Sequence, residues 1–300
     1  MTEQQCSWSV ISYWFLLNHL KVNVRPWGLT KENGENNSRG AFSMEFPQNP
    51  FSLHGKVSIV TGGGRGLGYG IARALGRAGS DLVVASRSSQ ELERAAEEII
   101  KETGGRALPL PVDLTKEGEI ERLVQTTKEE FGGIDILVNN AATTIRKPFL
   151  EVNPKEFDDV VHLNLRVVFF LTQAVVREMT KQRKGKIINI ASLGAQIGLR
   201  NISVYTATKG GIASLTKTLA LELAGQNINV NAIAPGYYRT KLTEALFRDE
   251  EGYRWVLSRI PMGRPGLPDD LGGAAVFLAS SASDYVTGQV MFVDGGWIAG

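Results

Sequence analysis

In the segment Ser203-Val204-Tyr205-Thr206-Ala207-Thr208-Lys209 a tyrosine precedes a lysine by four residues, and Ser192 stands thirteen positions upstream of the tyrosine. Four residues is about one helical turn, so phenol and ammonium would share a helix face with Cβ atoms roughly 5–6 Å apart. A free tyrosine titrates near ~10, which makes it a poor proton donor or acceptor at neutral pH. A cation held beside it favours phenolate and lowers that value, so Tyr205 becomes a candidate general acid and base. The same spacing also occurs on ordinary amphipathic helices. Its meaning therefore depends on the rest of the chain.

A second chemical signal lies far upstream. The apolar run Val57–Val60 is followed at once by Thr61-Gly62-Gly63-Gly64-Arg65-Gly66-Leu67-Gly68, which opens a helix carrying Leu67, Ile71, Leu75 and Ala78 on one stripe. Gly62, Gly66 and Gly68 would let the backbone turn tightly and approach a pyrophosphate, whose charge meets free N–H groups at a helix N-terminus. The spacing is Thr-Gly-x-x-x-Gly-x-Gly, a variant of the commoner dinucleotide fingerprint. An acid about 20 residues further on would bond the ribose 2′-OH of NAD. Twenty residues past Gly66 stands Ser86, followed by Arg87 and Ser88. Hydroxyls and a guanidinium suit a 2′-phosphate, and Arg65 is placed to reach the same group. NADP(H) is the expected coenzyme, with NAD(H) possible.

These residues need a scaffold. Candidate strands are Val57–Val60, Leu82–Ala85, Ala107–Val112, Ile136–Val138, Ile187–Ile190, Asn229–Ile233 and Val290–Val293. They are continuous apolar runs, as expected of parallel strands covered on both faces. Helical periodicity fills the gaps, over Leu92–Ile99, Ile120–Phe131, Phe157–Met179 and Tyr205–Leu223. Regular strand–helix alternation implies right-handed βαβ units. The predicted fold is one α/β domain, a Rossmann-type doubly wound parallel sheet of about seven strands with helices on both faces. In such sheets ligands bind beyond the strand C-termini. Asp113 after the third strand and Asn139-Asn140 after the fourth fall there, Asn139 as a brace and Asn140 as a ligand contact.

Residues 1–43 read as an extension outside the domain, and the domain as 44–300. The extension holds the single cysteine, Cys6, and Trp8, Trp14 and Trp27. Its apolar stretch Trp8–Leu17 falls short of the ~20 residues that span a bilayer, and Met44 is an alternative start. The chain is 43% hydrophobic with a net charge of +2, which argues against a nucleic-acid or membrane-surface role. One cysteine and three scattered histidines offer no disulfide framework and no metal-ligand spacing. A reduced, cytoplasmic compartment fits this composition.

Taken in order, these motifs resemble the short-chain dehydrogenase/reductase family over about 250 residues. The glycine turn, Val112-Asp113-Leu114, Asn139-Asn140-Ala141, Asn164, Ser192, Tyr205-x3-Lys209 and Pro235-Gly236 stand in that family's order and spacing. The resemblance implies that Tyr205 exchanges a proton with the substrate oxygen and that Lys209 lowers its pKa and bonds the nicotinamide ribose. It implies that Ser192 polarises the substrate oxygen and that Asn164 holds a water relaying protons toward Lys209. It further implies coenzyme contacts at Leu67, Asp113, Leu114, Pro235, Gly236, Tyr238 and Thr240. Ala142 departs from the family pattern, which has glycine there, and puts a methyl on the nicotinamide side.

Within the family the chain is most similar to the gluconate 5-dehydrogenase-like sugar-acid group, through Pro235–Thr243, Arg259–Arg264, Ser283–Gly288 and Val293–Trp297. Arg146 and Lys147 follow the fourth strand, Arg200 the fifth, and Arg239 and Lys241 the sixth. Cations at these strand ends suit a carboxylate, which arginine can hold bidentately, and Arg146 and Arg200 are the favoured pair. The expected activity is interconversion of a secondary alcohol and a ketone on a sugar acid such as gluconate/5-ketogluconate. The alternatives are a 3-oxoacyl (carrier-protein) reductase or other carbonyl reductase, and a catalytically silent nucleotide-binding regulator. The resemblance also implies a homotetramer, assembled through the helices Phe157–Met179 and Tyr205–Leu223.

Overall fold

The computed structural model describes residues 49–240 and 243–300. The expectations placed on Cys6, Trp8–Leu17, Met44 and Lys241 lie outside the described residues. Seven strands form one parallel sheet: β1 (Val57–Thr61), β2 (Asp81–Ser86), β3 (Ala107–Pro111), β4 (Ile136–Asn139), β5 (Gly185–Ile190), β6 (Ile228–Pro235) and β7 (Val290–Val293), in the order β3-β2-β1-β4-β5-β6-β7. The chain winds outward from β1 to β3, then returns to place β4 on the other side of β1. That reversal leaves a crevice at the carboxyl ends of β1 and β4, where doubly wound sheets bind ligands.

Burial on both faces explains the continuous apolar runs. In β1, Val60 joins one core cluster and Ile59 the other, and β2 repeats the pattern with Leu82 and Val84 against Val83 and Ala85. One face is covered by α1 (Gly66–Arg77), α2 (Ser89–Thr103) and α9 (Gly272–Ala279), through Ile71, Leu75, Leu92, Ile99 and Leu278. The other is covered by α3 (Glu119–Phe131), α5 (Val167–Gln182) and α6 (Ser203–Leu223), through Leu123, Leu171, Val175 and Met179. Each such side chain contributes roughly 1.5–3 kcal/mol by leaving water. Two short helices, α7 (Glu244–Arg248) and α8 (Glu250–Leu257), follow β6.

Local signals fix the helix ends. Ser88 caps α2 by accepting from the Glu91 N–H at 3.4 Å, and Gly104 ends it in the left-handed region at φ 69°. Asn153 and Glu156 form a reciprocal capping box at the start of α4 (Pro154–Val161), with Pro154 in its first turn. One feature departs from the sequence reading. The stretch expected as one helix over Phe157–Met179 is α4, a π-helical turn over His162–Arg166, then α5. Asn164 sits in that turn.

Candidate active site

Strand β5 delivers Ser192 and helix α6 delivers Tyr205 and Lys209, and all three line one cleft of about 910 Å³ at the β1/β4 reversal. A buried polar ladder sets their relative position. Asn139 Nδ2 donates to Thr172 Oγ1 and Asn189 Oδ1, both at 2.9 Å, and Asn189 Nδ2 donates to Thr216 Oγ1 at 2.9 Å. The ladder ties β4 and β5 to α5 and α6, as buried amides require. Asn139 is therefore a brace. Sequence periodicity gave no hint of Thr172, Asn189 or Thr216, because polar residues inside apolar elements declare themselves only through their partners.

The Tyr205–Lys209 pair differs from its expected electrostatics. Lys209 is only 4% exposed, and its Nζ donates to the Ile190 carbonyl at 2.5 Å while lying 5.6 Å from the centroid of the Tyr205 ring. The cation faces the ring rather than replacing water around the phenol oxygen. Burial pushes the Lys209 ammonium down to about 8. Burial likewise raises Tyr205 above its usual value, with the Ser192 hydroxyl pulling it back. Desolvation is the larger influence on Tyr205, so the phenol keeps its proton more firmly than spacing alone implied. Ser192 accepts from Gly194 N–H at 3.1 Å, which fixes its hydroxyl toward the cleft end of β5.

The buried ammonium has a thermodynamic consequence. A lysine whose folded pKa lies below its unfolded ~10.4 disfavours the folded state at neutral pH, where it is charged, and ceases to do so above the unfolded value. Lys209→Met is expected to abolish activity yet raise Tm at pH 7 by a few degrees, with about 1–2 kcal/mol left after the lost bond to Ile190. The gain should shrink as pH rises through about 8 and turn into a small loss before ~10.4, where only the missing bond to Ile190 remains. Melting curves across that range check it; a Tm loss of constant size at every pH would contradict it.

Asn164 is fully engaged. Its Oδ1 accepts from Thr143 N–H at 2.8 Å, and its Nδ2 donates to the Thr143 carbonyl at 2.8 Å and to Thr208 Oγ1 at 3.3 Å. Thr208 in turn donates to the Tyr205 carbonyl at 2.7 Å. The π turn aims Asn164 between the loop after β4 and the second turn of α6, a placement that such turns often serve at functional sites.

The glycine turn fits a dinucleotide's pyrophosphate. Helix α1 has Arg65 at its N-cap with no side-chain bond to the first-turn N–H groups, and Gly66, Leu67 and Gly68 line the cleft. Those N–H groups point at an anion site. Gly62 holds φ +65° and a Cβ there would meet Asn140 Nδ2 at 2.7 Å. Asn140 corrects the sequence reading in part. It lines the cleft, but its Nδ2 donates to the Thr61 carbonyl at 2.8 Å and the Gly62 carbonyl at 3.3 Å, which spends the amide on bracing the turn. Thr61, the first residue of the motif, completes the lock by accepting from the N–H groups of Asn140 and Ala141 at 3.0 Å each.

At the end of β2, Ser86 Oγ is buried without a partner among the described residues, and Arg87 lines the cleft beside it. An orphaned hydroxyl and a guanidinium, with no acid at that strand end, fit a 2′-phosphate. Arg65 is less available than expected, because its Nη1 pairs with Glu91 Oε1 at 2.7 Å. Asp113 turns inward on its own loop, accepting from Thr115 Oγ1 at 2.7 Å, a bond that holds its carboxyl below the usual range. Leu114, Pro235, Gly236, Tyr238 and Thr240 also line the cleft, and so does Ala142. Tyr238 directs its hydroxyl away, donating to the Val293 carbonyl at 3.0 Å.

Arg146 and Arg200 do not line this cleft. They line an adjoining pocket of about 500 Å³ together with Arg259, Tyr237, Trp255 and Trp297. Its lining is linked along the chain to the cleft, by the segment from Ser192 to Tyr205 and by Tyr237, which lies between the cleft residues Gly236 and Tyr238.

Comparison with known proteins places this geometry. A family described as Enoyl-(Acyl carrier protein) reductase matches residues 62–298. The chain is 48% identical over 255 residues to a 2-dehydro-3-deoxy-D-gluconate 5-dehydrogenase of Dickeya dadantii, covering 84% of this chain and 98% of that protein. It is 42% identical over 248 residues to a 5-keto-D-gluconate 5-reductase of Escherichia coli K12, covering 83% and 97% respectively. The crystal structure of a gluconate 5-dehydrogenase from Burkholderia cenocepacia in complex with NADP and tartrate superposes with a TM-score of 0.79 at 38% identity, covering 84% of this chain and 98% of that one.

Proposed function

The chain belongs to the short-chain dehydrogenase/reductase family, and from that membership we propose that it is an NADP(H)-preferring oxidoreductase interconverting a sugar acid's secondary alcohol and its ketone, as in gluconate and 5-ketogluconate. The observation that carries this reading is the joint placement of Ser192, Tyr205 and Lys209 in a cleft whose neighbouring pocket is lined by arginines. NADP in the related crystal structure, and its tartrate (a hydroxy acid), support the same coenzyme and the same substrate chemistry. The family match names an acyl-carrier reductase, but two curated relatives act on keto- and deoxygluconates by name.

In this mechanism the Gly62–Gly68 turn holds the pyrophosphate and Ser86 and Arg87 hold the 2′-phosphate. A bound nicotinamide coenzyme supplies hydride in reduction and receives it in oxidation. Ser192 Oγ donates to the substrate oxygen, where negative charge develops. Tyr205 Oη delivers its proton to that oxygen in reduction and recovers it in oxidation. Lys209 supports the phenolate left behind, and Asn164 fixes the loop and helix around them. Arg146 and Arg200 hold the substrate carboxylate.

NADPH-consumption assays with 5-ketogluconate, a 3-oxoacyl thioester and a simple ketone test the reading. The sugar acid should give the highest kcat/KM, and preference for the thioester would overturn it. In the same assays Arg87→Ala should raise KM for NADPH about tenfold or more and leave NADH nearly unchanged. An equal effect on both coenzymes would reject the 2′-phosphate site.

A homotetramer is supported by a run of exposed apolar residues on and around α4 and α5, namely Phe149, Leu150, Phe157, Phe169 and Phe170. Pro154–Gln182 is by length and composition apolar enough to cross a bilayer. Val167, Leu171, Val175 and Met179 are nevertheless buried against the sheet, which favours a core helix. The coenzyme and the single cysteine support a cytoplasmic location. Light scattering at the monomer mass would count against the tetramer.

A further inference from the structure

Arg259 reaches the arginine pocket from a part of the chain that the motif pattern does not connect with it. Arg146 and Arg200 arrive on loops joined to each other, since Lys147 N–H donates to the Asn201 carbonyl at 2.8 Å. Arg259 arrives from just beyond α8, on the opposite side in sequence of the Tyr237 turn. Among the described residues no aspartate or glutamate lines this pocket. Among the described residues none of these three arginines pairs with a carboxylate, whereas Arg65, Arg73, Arg122 and Arg264 all do. Three guanidiniums around one cavity concentrate positive charge, which suits an anion.

Arg259 also has an aromatic partner. Its guanidinium lies 5.2 Å from the centroid of the Trp255 ring. Trp255 packs edge-on to Trp297 at 5.6 Å, and Tyr237 rests on Trp297 at 4.7 Å. Trp297 is buried and anchors the group. A guanidinium stacked on an aromatic wall keeps its planar fork free and has less freedom to lose on binding. The Tyr237 phenol lines the same pocket: burial raises its pKa, while Arg146 and Arg259 pull it back.

The geometry points to Arg259 as a specificity-determining residue that grips the substrate carboxylate from the aromatic wall, with the Tyr237 hydroxyl beside it and Arg146 and Arg200 on the joined loops. This deepens the sugar-acid reading and rests on it. The aromatic faces of Tyr237 and Trp297 give the carbon chain an apolar wall, so the pocket selects an anionic polyol over a neutral one.

The experiment compares 5-ketogluconate with a neutral ketohexose of equal carbon count, using wild-type enzyme, Arg259→Gln and Arg259→Lys. Arg259→Gln should lower kcat/KM for the acid on the order of 10–100-fold through KM. Turnover of the neutral ketose and NADPH affinity should stay at wild-type levels, which also reports an intact fold. Arg259→Lys should fall between, retaining charge without the fork. A wild type that prefers the acid while Arg259→Gln keeps that preference within twofold overturns the Arg259 assignment alone. A wild type that treats acid and neutral ketose equally overturns the sugar-acid reading itself.

Discussion

Tyr205→Phe should lower kcat for carbonyl reduction by about 10²–10⁴-fold, the span that a positioned general acid contributes. The change removes one oxygen and leaves the ring, so α6, the ladder to β5 and the coenzyme cleft keep their shape. NADPH affinity and Tm are therefore expected to stay near wild type. Because burial holds the phenol's pKa up, the residual rate of the variant should lose the pH dependence that Tyr205 confers. Steady-state kinetics together with NADPH fluorescence titration separate the two quantities. Retained kcat would remove Tyr205 from the mechanism, and lost NADPH binding would recast it as a structural residue.

The second large effect is expected at Gly68. A Cβ there would overlap the Gly62 carbonyl and stand 2.5 Å from Asn140 Nδ2, both of them fixed parts of the turn. Neither neighbour can yield without breaking the Asn140 bonds to Thr61 and Gly62 that hold β1 to β4. Gly68→Ala should raise the NADPH Kd by roughly a hundredfold and cost about 1–3 kcal/mol of stability. Gly66→Ala provides the contrast. Its Cβ would meet nothing nearer than Thr240 at 3.7 Å, and only its φ of +57° opposes a side chain. That strain costs about 1–2 kcal/mol. Calorimetric titration with NADPH ranks the pair. If Gly68→Ala binds NADPH as well as Gly66→Ala, the packed turn is not what shapes the coenzyme site.

Much of this was legible in the sequence because the relevant physics is local. Apolar run length identifies strands buried on both faces, and all seven runs are strands of one parallel sheet. Glycines between a strand and an amphipathic helix mark the reversal of the chain, and four-residue spacing puts Tyr205 and Lys209 on adjacent turns of α6. The features missed depend on tertiary contact. In the π turn Asn164 bridges Thr143 and Thr208, partners that lie far from it in sequence. The bond from Lys209 to Ile190 and the pair between Arg65 and Glu91 join segments far apart in sequence. Spacing reports that a cation is near a phenol; it is silent on the desolvation that both suffer. Arg259 stood in a stretch that resembles the sugar-acid group, but its place beside Arg146 and Arg200 was hidden for the same reason, since only folding brings the three to one pocket.

The central claim is hydride transfer from a nicotinamide coenzyme to the carbonyl carbon of a sugar acid. The most direct test is to run the reduction of 5-ketogluconate with NADPH carrying deuterium at its transferable position, and to analyse the product by mass spectrometry and NMR. The account predicts a hexonate with one deuterium on the new carbinol carbon, formed in step with NADPH loss. A reduced product without deuterium, or bound NADPH that reduces no carbonyl, would contradict it.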